Sequence, residues 1–233
     1  MRAFLIVVWL MIPVLIGAYH YGPGQERLRL DDAAALVAQA QRHVAGEQWA
    51  EAEAAYEEAL KLLPAERLAD SRRLRLERAK AQMLAKKLPI ANQELQNLVA
   101  ELRDDPAADA KLLAESRSAL ANSQYYLTWL MRLEGLAKEA WEPEIEASRQ
   151  TYRLLAEQSE AAGDAKTAKK NREDLESAVR LARMDLTELQ GLPRGCLPRV
   201  GRRGRRAAVA VQPVPGCPGD SRISQRSAVD QED

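Results

Sequence analysis

Cysteine, histidine and aromatic residues are all scarce in this sequence of 233 residues. It has two cysteines, two histidines and one phenylalanine, and aromatic residues make up 5% of the chain. Cys196 and Cys217 are too few for a disulfide framework. Neither His20 nor His43 belongs to a set of residues with the spacing of zinc ligands, so we expect no metal site.

Catalytic motifs are missing as well. The GPG tripeptide at residues 22–24 lacks the strand and helix that flank a phosphate-binding loop. Paired acids such as Asp104 and Asp105 are typical of solvated helix ends. With no nucleophile, base or metal set at a suitable spacing, the sequence predicts a protein that is not an enzyme and needs no cofactor.

An excess of charge of one sign is also absent, because 34 basic residues balance 34 acidic ones. A neutral chain is not built as a whole to coat nucleic acid, and we expect no specific nucleic-acid partner. The arginines are nevertheless concentrated at the end, where residues 191–233 hold eight of them against four acidic residues. This Arg-, Pro- and Gly-rich tail is predicted to be disordered, with weak contact to anionic surfaces.

The apolar residues near the N-terminus form one long run. Residues 3–21 contain no Asp, Glu, Lys or Arg, and a helix of that length spans roughly 28 Å, about the thickness of a bilayer core. We therefore predict a signal anchor or transmembrane helix within residues 1–24. The alternative is a signal peptide that is cleaved to give a secreted protein. Arg2 favours an N-terminus that stays in the cytoplasm, with the body on the outer, extracytoplasmic side of the membrane.

Residues 25–190 are rich in strong helix formers and are predicted to form one helical domain. Gly and Pro residues divide it into about seven helices. The first is predicted to be capped by Asp31-Asp32 and the sixth to start at Glu142-Pro143. The last is predicted to be capped by Asp164 and to run to Leu189 before the chain reaches Gly191. The apolar set of the third helix is predicted to be Leu76, Ala79, Met83 and Leu84.

One segment carries a recognisable repeat pattern. Residues 46–64 read GEQWAEAEAAYEEALKLLP, with Ala52, Tyr56, Ala59 and Pro64 in the order small, aromatic, small and helix-ending proline. This segment resembles the second helix of a tetratricopeptide (TPR) repeat. The same spacing recurs twice with other residues, in one set formed by Leu95, Val99 and Leu102 and in another formed by Ser148, Tyr152 and Leu155.

The resemblance covers one repeat, and the helix before it lacks the usual aromatic pattern of the family. It implies an all-α, irregular TPR-like solenoid of helical hairpins with about seven helices, preceded by one transmembrane helix. A plain helical bundle is the alternative architecture.

The predicted fifth helix holds the candidate binding residues. In TPR-like solenoids the first helix of each pair lines a concave, peptide-binding surface, and by resemblance we expect this surface to include Asn122, Tyr125, Trp129 and Arg132. Tyr, Trp and Arg are enriched at binding hot spots. The alternative role of Tyr125 and Trp129 is packing against the sixth helix, near Trp141 and Tyr152.

The sequence thus predicts a membrane-anchored scaffold of the TPR-like class that holds partner proteins or peptides at the cell envelope. Its alternative is a structural protein, a self-associating helical bundle or spacer without a peptide-binding groove. The step from fold to function rests on analogy.

Overall fold

A computed structural model describes residues 9–13 and 23–191 of the chain. All regular structure in these ranges is helical, which confirms the predicted all-α class. Residues 9–13 are helical, and eight further helices follow: α1 (Pro23–Ala45), α2 (Trp49–Leu62), α3 (Leu68–Leu84), α4 (Leu88–Asp104), α5 (Ala110–Leu133), α6 (Lys138–Ala161), α7 (Ala165–Arg183) and α8 (Leu186–Gly191).

The predicted anchor at residues 3–21 and the predicted tail after residue 191 fall largely or wholly outside the described residues. Among the helices that are described, none is both long enough and apolar enough to cross a bilayer.

The chain divides into two compact units, one ending at Ser123 and the other beginning at Gln124. The division falls inside α5. The first unit contains α1 to α4 and the start of α5, and the second contains the rest of α5 with α6, α7 and α8. Short connections join the successive helices, as in antiparallel helical hairpins.

The first unit has two hydrophobic clusters that share helix α3. One cluster joins α1, α2 and α3 and includes Tyr56 and Leu74. The other joins α3, α4 and α5 and includes Leu76, Leu98 and Leu112. At 100° per residue, Leu74 and Leu76 project from opposite sides of α3. Helix α3 therefore packs against α1 and α2 on one side and against α4 and α5 on the other.

The apolar set predicted for the third helix was partly wrong. Leu76 and Ala79 are buried, and Met83 packs beside them, but Leu84 is 37% exposed. The prediction also missed Leu74 and Ala81, which form the second apolar stripe. The prediction assumed a single apolar stripe and therefore one buried face, whereas α3 has two buried faces.

Helices α2, α4 and α6 bury equivalent positions. Each has three buried residues at spacings of four and three, and these sets are Ala52, Tyr56 and Ala59 in α2, Ala91, Leu95 and Leu98 in α4, and Ser148, Tyr152 and Leu155 in α6. Of the predicted α4 set, Leu95 and Leu102 are buried as expected, and only Val99 was wrong. Leu98 is fully buried and Val99 only partly, because Val99 lies about 100° further round the helix than Leu98.

Several predicted helix ends are confirmed, and three are wrong. Pro64 follows the end of α2, and Asp164 caps α7 by accepting a hydrogen bond from the Thr167 N–H at 3.0 Å. Helix α1, however, starts at Pro23, since the residues before Asp31 are also helix formers and Pro suits a first turn.

The other two wrong ends concern α6 and α7. Helix α6 starts at Lys138 and contains Pro143, which leaves the Glu139 carbonyl without its helical donor but does not stop the helix so near its start. Helix α7 ends at Arg183, because Met184 adopts an extended conformation with φ −58° and ψ 147°.

Ion pairs fix the hairpin formed by α3 and α4. The Arg72 guanidinium contacts Glu101 at 2.7 Å and Asp105 at 2.6 Å, and Arg75 contacts Glu94 at 2.7 Å and Glu101 at 2.6 Å. Partial burial opposes ionisation of Glu101, but hydrogen bonds from both arginines lower its pKa below the ordinary value. The pairs therefore stabilise the folded state above that ordinary pKa and lose their effect as the pH falls.

Four of the turns between helices adopt the same backbone conformation. In each, the second residue after the helix has a positive φ, and the N–H of the next residue donates to a carbonyl five residues back, as in a Schellman motif. Glycine supplies the positive φ at Gly135 and Gly163, where φ is 75°. Glu47 at 59° and Lys86 at 65° adopt it with a side chain, which costs free energy.

These turns predict a contrast between two substitutions. Lys86→Gly removes left-handed strain and is expected to raise the free energy of unfolding by about 0.5–1 kcal/mol, whereas Gly135→Ala is expected to lower it by about 1 kcal/mol. Urea denaturation of the full chain measures both. As a control, Lys169→Gly inside α7 should lower stability by about 1 kcal/mol. A loss of stability in Lys86→Gly would contradict this account of the turn.

Candidate protein-binding surface

The four predicted binding residues all lie on α5, but they are divided between the two units. Asn122 belongs to the first unit, where its Oδ1 is buried with no hydrogen-bond partner among the described residues. Tyr125, Trp129 and Arg132 belong to the second. The structure places these three along one side of α5 at spacings of four and three, which are neighbouring positions on a helix.

Arg132 is held by the end of helix α7. Its guanidinium donates to the main-chain carbonyls of Leu181 and Met184 and lies over the ring of Trp141, 4.7 Å from the ring centre. The carbonyls at a helix C-terminus carry partial negative charge and attract a cation. Burial lowers the pKa of Arg132 relative to its ordinary value, but an arginine stays charged.

The chain presents those carbonyls because it turns sharply after α7. Asp185 accepts from the Glu188 N–H at 2.7 Å, and the Asp185 N–H donates to the Glu188 carboxylate at 3.3 Å. This reciprocal pair is a capping box and starts α8. Leu189 of α8 is only 1% exposed. The Asp-x-x-Glu spacing is visible in the sequence, but it was missed in the prediction of one long helix that ends at Leu189.

Three tyrosines, Tyr125, Tyr126 and Tyr152, lie close together in the second unit. The rings of Tyr125 and Tyr126 meet edge to face, with centres 5.7 Å apart and an angle of 84°. Burial raises the pKa of all three phenols, that of Tyr126 to about 12, and Tyr152 is almost completely buried. Burial also raises the pKa of Asp174, whose charge acts on the same tyrosines. The cluster is a partly polar core.

Tyr125 has the packing role that the sequence analysis gave as the alternative, since its side chain is 6% exposed. Trp129 is different. Its side chain is only partly buried, yet its Nε1 is buried and has no hydrogen-bond partner in the described part of the chain. A buried indole N–H without an acceptor costs free energy. The binding role of these residues stays a prediction.

The described residues contain no group of three or more His, Cys, Asp or Glu side chains that could hold a metal ion. A shallow cleft of about 350 Å³ lies between the start of α1 and the end of α2, lined by Glu26, Arg29, Lys61, Leu62, Leu63 and Pro64. Its charges are exposed, and Lys61 already pairs with Glu57 and Glu58.

Comparison with known proteins adds no assignment. No family model matches the chain, and no curated protein matches it significantly.

The geometry at Arg132 predicts the effect of a conservative change. In Arg132→Lys the charge remains, but an ammonium group lacks the planar fork that contacts two carbonyls while lying on Trp141. We expect the free energy of unfolding to fall by about 1.5–3 kcal/mol, the value of a hydrogen bond to a charged group. Chemical denaturation of the full chain measures the change.

Arg153→Lys on α6 provides the control, because Arg153 is exposed and its contact with Glu157 is 4.0 Å long. It should alter stability by less than about 0.5 kcal/mol. Equal effects of the two substitutions would show that the contacts of Arg132 contribute little.

Proposed function

We propose that this chain is a membrane-anchored interaction scaffold of the TPR-like class that holds a partner protein at the cell envelope. The anchor is the uncharged run at residues 3–21, and the partner-binding part is the helical body on the outer side of the membrane. The alternative is a self-associating bundle that acts as a spacer.

The observation that carries this proposal is the repetition of buried positions in α2, α4 and α6. In the first unit, the two clusters that share α3 add to it, because stacked hairpins bury each internal helix against both neighbours. Stacks of this kind provide long surfaces for binding other chains rather than enclosed sites.

Within the second unit, the side of α5 that carries Trp129 and Arg132 is the best candidate for partner contact. Trp and Arg are the residue types that most often dominate binding energy. The Trp129 side chain is only partly buried, so part of its ring is available to a partner. Tyr125 is buried, so we assign it to the packing beneath this surface and not to partner contact.

Site-specific photo-cross-linking tests the proposal in the intact, membrane-bound chain. A benzophenone amino acid at position 129 keeps an aromatic side chain there, and the same amino acid at the exposed position Lys166 of α7 serves as the control. We expect adducts with a second, different polypeptide from position 129, at a yield well above that from position 166.

The outcomes separate the two candidate functions. If position 129 gives only adducts between copies of this chain, and light scattering shows a stable oligomer, the self-associating bundle is correct. If both positions give the same adducts at the same yield, the α5 surface has no selective partner and the scaffold proposal fails.

A further inference from the structure

The start of α1 lies close in the chain to the end of the predicted membrane anchor. The predicted anchor ends at Tyr21, and α1 begins at Pro23. Two residues of chain span at most about 7 Å, and each residue of a helix adds about 1.5 Å along its axis. Leu28, five residues into α1, therefore lies within roughly 15 Å of Tyr21. The headgroup layer on one side of a bilayer is about 5–8 Å thick. If residues 3–21 span the membrane, the first turns of α1 lie in this layer or directly above it.

The turn between α2 and α3 lies at the same end of the first unit. The shallow cleft joins this turn to α1, because Glu26 of α1 and Pro64 of the turn both line it. The turn is tight, since the Arg67 N–H donates to the Pro64 carbonyl at 3.0 Å. Leu68, the first residue of α3, is therefore kept near the start of α1.

Two large apolar side chains are exposed at this end. Leu28 is 50% exposed and Leu68 is 53% exposed. A single exposed leucine is ordinary on a protein surface. These two, however, lie at the end of the first unit that the anchor would hold beside the headgroups. Exposed apolar side chains in that position insert at the boundary between headgroups and acyl chains.

The charges around the two leucines are balanced. Residues 25–32 and 61–70 together hold four basic and five acidic side chains. Attraction to an anionic membrane requires an excess of basic residues, which this end does not have. A zwitterionic headgroup carries both a phosphate and an amine, and the cleft offers Arg29 to the first and Glu26 to the second.

We propose that this end of the first unit, formed by residues 25–29 and 64–68, rests on the zwitterionic headgroups of the membrane that holds the anchor, with Leu28 and Leu68 inserted among them. The inference rests on the proposed function, because it requires residues 3–21 to be anchored. It goes further by stating which end of the first unit contacts lipid. Helix α3 extends about 24 Å from Leu68, so the turn between α3 and α4 forms the far end.

Fluorescence quenching in the full chain tests this contact. A fluorophore is attached at Leu28→Cys, Leu68→Cys or Ile90→Cys, with Cys196→Ser and Cys217→Ser in all three chains. Ile90 is the matched control, because it is 58% exposed and follows the turn between α3 and α4. The chains are reconstituted in phosphatidylcholine vesicles with a nitroxide quencher on the headgroup. Quenching should be at least about threefold stronger at positions 28 and 68 than at position 90, because the far end lies roughly 24 Å further from the headgroups.

A second pair of substitutions tests whether the leucines themselves make the contact. In the chain labelled at position 28, Leu68→Ser should reduce quenching at least about twofold, because it removes one of two apolar side chains from the headgroup boundary. Leu84→Ser should leave the quenching unchanged, since Leu84 is 37% exposed but lies at the far end. Circular dichroism checks that both variants keep their helices.

Alkaline carbonate extraction of the same vesicles measures the anchor separately. A chain that is extracted has no membrane anchor, which overturns the proposed function and this inference together. A chain that resists extraction but shows equal quenching at all three positions, or none at positions 28 and 68, overturns this inference alone. Quenching that appears only after anionic lipid is added would also overturn it, because a contact made by two leucines and balanced charges does not require that lipid.

Discussion

The first unit depends on one constraint, which is that helix α3 must bury two opposite faces. Leu74 and Ala81 lie in the cluster with α1 and α2, and Leu76 and Ala79 lie in the cluster with α4 and α5. A helix at the edge of a fold needs one apolar face, whereas a helix inside a stack needs two. Because α3 has one apolar face for α1 and α2 and another for α4 and α5, each cluster forms between consecutive helices. Neither cluster extends through the whole unit.

A helix with two apolar faces has only two narrow sides left for polar residues, and α3 fills them with cations. Arg72 and Arg75 pair with acids of α4, and Arg73 and Lys80 pair with Glu115 of α5. Small buried polar pairs continue the pattern, as in the contact of Gln82 with Glu53 at 3.1 Å and of Ser123 with Asn92 at 2.7 Å. Such directional contacts select one register between neighbouring helices, where apolar contacts alone would permit several.

How much of this was visible in the sequence depends on the range of the interaction. Local chemistry was sufficient for the all-helical class, the cap at Asp164 and the stop at Pro64, because these depend on a few adjacent residues. The second stripe of α3 was missed because its residues are an Ala and a Leu that look incidental until α2 lies against them. In α4, Val99 was predicted in place of Leu98 for the same reason, since both fit helical spacing equally well between Leu95 and Leu102.

In the candidate site too, contacts between residues close in the chain were predicted and contacts between distant residues were not. The sequence placed Tyr125, Trp129 and Arg132 on one side of a helix, and the structure agrees. The role of Arg132 toward Leu181 and Met184 depends on a contact about fifty residues away in the chain, which periodicity does not encode. The end of α7 before Asp185 has a local signal in the sequence, the capping box of Asp185 and Glu188. It was not predicted because the apolar spacing continues through Leu189.

The central claim, that the first unit is a stack in which each helix pair depends on its neighbours, is tested most directly by hydrogen exchange on Leu98→Ala. Leu98 is fully buried in the cluster of α3, α4 and α5 and takes no part in the other cluster. The account predicts faster exchange in α4 and the start of α5, with the protection of α1 and α2 retained. An equal loss of protection from α1 through α5 would contradict it, because that is the behaviour of a single cooperative bundle.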